Sequence, residues 1–167
     1  LTIKTESDQK GEFMEISISI AAHVLSSVVW VGGMFFAYMV LRPAAGSLLD
    51  TPTLLKLWSG VFKRFFPWVW VCIGLLVITG YLMIFTVFGG MKGAGIHIHI
   101  MHGTAWLMIL LFVHLNISPV KGLHQCVIIE DWEKGGQFLG SIRLIVGIDL
   151  IWGLFTAMIA SAGKYFI

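Results

Sequence analysis

Polar residues interrupt this chain only at wide intervals, and the intervals set its architecture. Four predominantly apolar runs, at about 16–41, 65–88, 98–117 and 138–160, each reach the roughly 20 residues that one helix needs to cross a bilayer core. Short connections make neighbouring helices antiparallel, so the pattern predicts an all-α integral membrane protein built as a four-transmembrane-helix up-down bundle. Between the first two runs, residues 51–63 carry apolar positions on one side with Lys56 and Lys63 elsewhere. That patterning predicts a short interfacial helix between spans one and two. No internal repeat at a fixed period is visible. The runs leave no room for a further soluble domain, so residues 1–167 are expected to form a single membrane domain.

Composition agrees. The chain is 57% hydrophobic and 12% charged, with a mean hydropathy of +0.89, values that a soluble domain of this size would not carry on its surface. A formal charge of +2 with no basic stripe excludes nucleic acid as a partner. Cys72 and Cys126 match neither a disulfide framework nor a Cys-x-x-Cys redox motif and read as structural. The segment LTIKTESDQKGEFMEIS lacks the basic start, short apolar core and small-residue cleavage site of a signal peptide, so the first run is expected to be retained.

Lysine and arginine in the flanks indicate direction. Arg42, Lys56, Lys63, Arg64, Lys121, Lys134 and Arg143 fall on one side, Lys4, Lys10, Lys92 and Lys164 on the other. The bias predicts a bacterial-type cytoplasmic (inner) membrane protein whose termini and 89–97 connection face the periplasm.

Ionisable residues within a span are costly enough to mark function. His23 lies in span one, His102 and His114 in span three with His99 at its outer end, and Asp149 near the middle of span four. Spans one and three enter from the same face. Counting about 1.5 Å per residue from there sets His23 and His102 at similar depth, with His99 about a turn further out. Two imidazoles on facing helices are the arrangement that holds a haem b in a bundle interior. His114 stands as an alternative ligand or a hydrogen-bonding residue. Asp149 is a candidate acceptor for an axial histidine Nδ1 proton, or a proton carrier, and Arg143 and Arg64 are candidates for propionates or lipid phosphates. The same histidines also read as hydrogen-bonding glue between helices.

The stretch GIHIHIMHG offers a second chemistry. His97, His99 and Met101 supply the imidazole and thioether groups that copper(I) prefers. An extended segment would place all three on one side, whereas a helix would pair His97 with Met101 and His99 with His102. No acidic residue lies nearby, which argues against calcium or magnesium.

The segments AAHVLSSVVWVGGMFFAYMVLRP, LWSGVFKRFFPWVW, TGYLMIF, GAGIHIHIM and SIRLIVGIDLIWG together resemble the small membrane proteins of the copper resistance D (CopD-like) family. The His-x6-Trp-x-Gly-Gly pattern from His23 to Gly33 is the most specific part. The resemblance implies a helical membrane bundle with a link to copper uptake or tolerance. The first span and the span-three histidines are also similar to HemJ-type protoporphyrinogen oxidases, which implies His23 with His99 or His102 as haem ligands. Those proteins carry a small residue, Gly, an aromatic and Pro-Arg after the first tryptophan, whereas here WVGGMFF leads only later to Arg42-Pro43, in reversed order.

Three functions remain open at this level. One is a membrane haem b protein of oxidoreductase type, passing electrons from a quinol-level donor to an outer-side acceptor or redox protein. The second is a copper-handling protein using His97, His99 and Met101. The third is a non-catalytic subunit of a larger membrane complex or homo-oligomer, held in the lipid bilayer.

Overall fold

Each apolar run folds as helix in the computed structural model, which describes residues 6–166. The first five residues lie outside the described part, and Lys4, counted above in the charge bias, lies there with them. Helix α1 (Glu6–Phe35) runs through a π-helical turn (Phe36–Leu41) into α2 (Arg42–Leu48). Helix α3 (Thr51–Thr86) returns, a 3-10 turn (Met91–Gly93) leads into α4 (Ile96–Ile117), α5 (Pro119–Ile128) extends it, and α6 (Trp132–Phe166) closes the bundle. Four helical stretches, Phe13–Leu48, Thr51–Thr86, Ile96–Ile128 and Trp132–Gly163, are long and apolar enough to span a membrane. The protein is an integral membrane protein, all-α among the described residues.

Local chemistry accounts for the breaks. Pro43 has no N–H to give and its ring crowds the carbonyl one turn back. The chain answers just upstream by widening to a π-turn, in which the Arg42 N–H reaches back to the Ala37 carbonyl. Gly90, at φ 107°, takes a conformation closed to most side chains. Its N–H caps α3 by bonding the Ile84 carbonyl at 2.9 Å. Pro67 sits inside α3 without ending it, a tolerance that packed transmembrane helices commonly show.

Residues 51–63 correct one expectation. They are not a separate interfacial helix but the first turns of α3, and they bury Leu55, Trp58 and Phe62 in the bundle core. The apolar side that periodicity reveals is real. Its partner is protein rather than lipid headgroups, because α3 continues as one helix past the bilayer-length run.

The spans form two antiparallel pairs. Helix α1 lies on α3, as His23 beside Thr79 and Gly33 beside Phe65 show. Helix α4 lies on α6, where the Thr104 and Thr156 hydroxyls are 2.8 Å apart. Aromatic rings join the pairs: Phe112 of α4 meets Phe66, Trp70 and Trp30 at centroid distances of 4.9, 5.2 and 6.1 Å. Large apolar side chains such as Leu25, Phe85 and Ile151 point outward and stay exposed, which suits hydrocarbon as the surrounding solvent.

At Gly33 the Phe65 ring occupies the space that a β-carbon would need, whereas at Gly32 nothing lies within 4 Å of that position. Gly33→Val should therefore separate α1 from α3 and cost about 1–3 kcal/mol. Gly32→Ala is the control. Thermal unfolding in detergent should show a lowered Tm for the first and almost no change for the second.

Candidate functional site

His23 is oriented by a chain of hydrogen bonds. Its Nδ1 lies 2.9 Å from Thr79 Oγ1, and Thr79 Oγ1 donates its only proton to the Leu75 carbonyl at 2.6 Å. The threonine oxygen can then only accept, so Nδ1 carries the ring proton and Nε2 keeps its lone pair. A metal-binding histidine is commonly prepared in this way, with one nitrogen anchored as N–H and the other free to coordinate. Close approach of the helices makes room for the ring: a β-carbon at Gly80 would stand 3.4 Å from His23 Cε1.

His102 is placed differently. Its Nε2 accepts the indole N–H of Trp106 at 3.1 Å and lies 3.5 Å from the Tyr81 hydroxyl. The lone pair that would serve a metal is already engaged. Thr79 and Tyr81, the α3 partners of the two histidines, are two residues apart, or about 3 Å along the axis and about 200° around it. His23 and His102 thus lie at similar depth but against different flanks of α3. The structure does not bring them face to face as a bis-histidine haem pair requires.

The remaining histidines separate as well. Residues 97–102 are helical, so the extended arrangement of the cluster is not formed. His97 turns toward the end of α6, where a β-carbon on Gly163 would fall 2.8 Å from its Cβ. Met101, one turn on, shares that side of the helix. His99 points about 200° away from His97 and is exposed. His114 is exposed near the far end of α4, and His124 hydrogen-bonds the Ser59 hydroxyl at 2.6 Å. Among the described residues no group of three or more His, Cys, Asp or Glu side chains is gathered as for a metal ion.

Asp149 is 3% exposed, and its Oδ1 has no hydrogen-bond partner among the described residues. The proton of His23 Nδ1, for which it was a candidate acceptor, goes to Thr79 instead. Arg143 is not its partner either, since six residues place the two about 9 Å apart along α6 and about 120° apart around it. The Arg143 Nε is itself buried without a partner.

Two features escape a reading of the sequence alone. Thr79 anchors His23 only through the register of α1 on α3. The sulfur-bearing side chains of Met34, Cys72 and Met108, from three different spans, are buried in one core cluster. Gly153 faces both Met108 Cε and Val31, which levels those two residues. Counting along the helices then puts Cys72 about 5–10 Å, Met108 about 12 Å, Met34 about 16 Å and Asp149 about 18 Å deeper than His23. The signal in the sequence is slight, because each sulfur residue by itself is ordinary core filler.

The model of the copper resistance protein D (CopD) family matches residues 59–163. The chain belongs to the copper resistance D family. No curated protein and no solved structure matches it. In this CopD-family protein the matched region holds most of α3 and nearly all of α4 to α6, with Cys72, Met108 and Asp149. His23 and Met34 precede it.

Proposed function

We propose that this CopD-family protein handles copper(I) as cargo within the bilayer, with His23 as its intramembrane ligand. The observation that carries this reading is the Thr79–Leu75 chain, which fixes the Nδ1–H tautomer of His23 and leaves Nε2 able to coordinate. Copper(I) favours imidazole, thioether and thiolate donors. The staggered Cys72, Met108 and Met34 side chains continue that donor set inward, and Asp149 at the deep end can balance a cation in a medium of low dielectric. On the outer rim, His97 and Met101 share a helical face and form the first contact. In this reading the protein sits in a bacterial-type inner membrane with both termini outward, in keeping with the lysine and arginine bias of the connections.

A second reading rests on the same tautomer. A haem b with His23 as its single protein ligand would serve electron transfer at the outer side, and the free Nε2 is the atom it would use. Metal analysis together with an absorption spectrum of the purified protein separates the two. Copper retained through dialysis by a colourless protein supports the first. A Soret band without copper overturns it in favour of the second.

A further inference from the structure

Between α3 and the junction of α4 with α5, a groove of about 230 Å³ opens on the surface of the bundle, several times the volume of one water. Its two ends differ in chemistry. On α3, Lys63, Phe66, Pro67 and Trp70 follow one another at the spacing of a single helix face and line one wall over about 10 Å. Asn116, Val120, Lys121 and His124 line the other. The antiparallel register of the two walls is fixed at both ends, because Trp70 meets Phe112 at 5.2 Å and Lys63 lies near enough to His124 to act on it by charge. Lys63, Lys121 and His124 therefore gather at the end of the bundle, and Phe66, Pro67 and Trp70 lead from them toward the bilayer interior.

The polar end has charge and donors to spare. Lys63 and Lys121 are exposed, and neither enters an ion pair among the described residues. His124 turns its Nδ1 to Ser59, which leaves Nε2 without a partner among the described residues, and the Asn116 amide has none either. Among the described residues the lining contains no carboxylate. Two unneutralised ammonium groups on separate helices suit one shared anion, and the apolar strip that runs from them into the span suits a hydrocarbon tail. We infer that this groove seats one anionic phospholipid, its phosphate between Lys63 and Lys121 and the first part of an acyl chain along Pro67 and Trp70. Lysine binds phosphate as a point charge while its stem lies on apolar surface. Asn116, about a turn deeper than Lys121, is placed to donate its amide to an ester carbonyl below the phosphate. The site does not depend on the copper reading.

The test is thermal unfolding of the full chain in neutral detergent, titrated separately with dioleoyl phosphatidylglycerol, dioleoyl phosphatidylcholine and inorganic phosphate at matched ionic strength. Phosphatidylglycerol should raise Tm saturably, and the other two should leave it almost unchanged. Lys63→Gln combined with Lys121→Gln should weaken the apparent affinity for phosphatidylglycerol by at least about tenfold. Lys56→Gln combined with Lys134→Gln removes the same charge from the same basic set outside the groove, and should leave that affinity unchanged. The inference is overturned if phosphatidylglycerol gives no saturable shift, if phosphatidylcholine or inorganic phosphate reproduces it, or if the two double variants lose affinity equally.

Discussion

Purified His23→Ala protein should lose the copper(I) that the wild type retains through dialysis, while remaining folded. The imidazole is half-buried at the α1–α3 contact and is linked to α3 chiefly by its bond to Thr79, so its removal is a modest structural loss. The expected loss of metal is complete, because the Nδ1 of His23 is held by a hydroxyl oxygen that has already donated its proton, which leaves Nε2 free. Thr79→Val tests the cause more finely. Valine keeps the shape and removes the oxygen, which frees the ring to rotate or change tautomer, and copper affinity should fall about 10–100-fold. His102→Ala should have a much smaller effect, since its Nε2 is already occupied by Trp106. Copper content by mass spectrometry after dialysis is the measurement. Retention in His23→Ala equal to the wild type would sink the proposal for this site.

Asp149→Leu should make the protein more stable and less able to move copper. The carboxyl is buried in the span with an unpartnered oxygen, and an unsatisfied buried polar group costs about 1–3 kcal/mol. Leucine branches at Cγ as the carboxyl does, removes the polar atoms and should recover an energy of that order as a raised Tm in detergent. Asp149→Asn keeps a polar group in place and should leave Tm almost unchanged. Copper uptake into vesicles should fall in both variants, because neither side chain can balance a cation. Opposite movements of stability and transport identify a residue kept for function at the expense of the fold. A lowered Tm in Asp149→Leu would show instead that the carboxyl is paired and structural.

The part of this protein that its sequence makes legible is the part that a bilayer reads in one dimension. Run lengths near 20 residues identify the four spans, and depth along an antiparallel bundle follows from counting. His23 and His102 accordingly lie within about 3 Å of each other along the axis. The same counting treated residues 51–63 as a separate element, because a window of bilayer length does not show that one helix runs on through Pro67. The family resemblance was likewise carried by linear segments, and residues 59–163 match its model.

What depth cannot supply is the rotation of each helix about its own axis and the choice of its neighbours. Two histidines at one level meet only if both helices turn them toward a common space, and connections of a few residues constrain that rotation weakly. Thr79 became the partner of His23, Trp106 the partner of His102, and Cys72, Met108 and Met34 became neighbours of one core through side-chain packing between the helix pairs. A hydropathy pattern says which residues leave water. Which flank of a helix each one faces, and which of its nitrogen atoms stays free, is settled by packing in the other two dimensions.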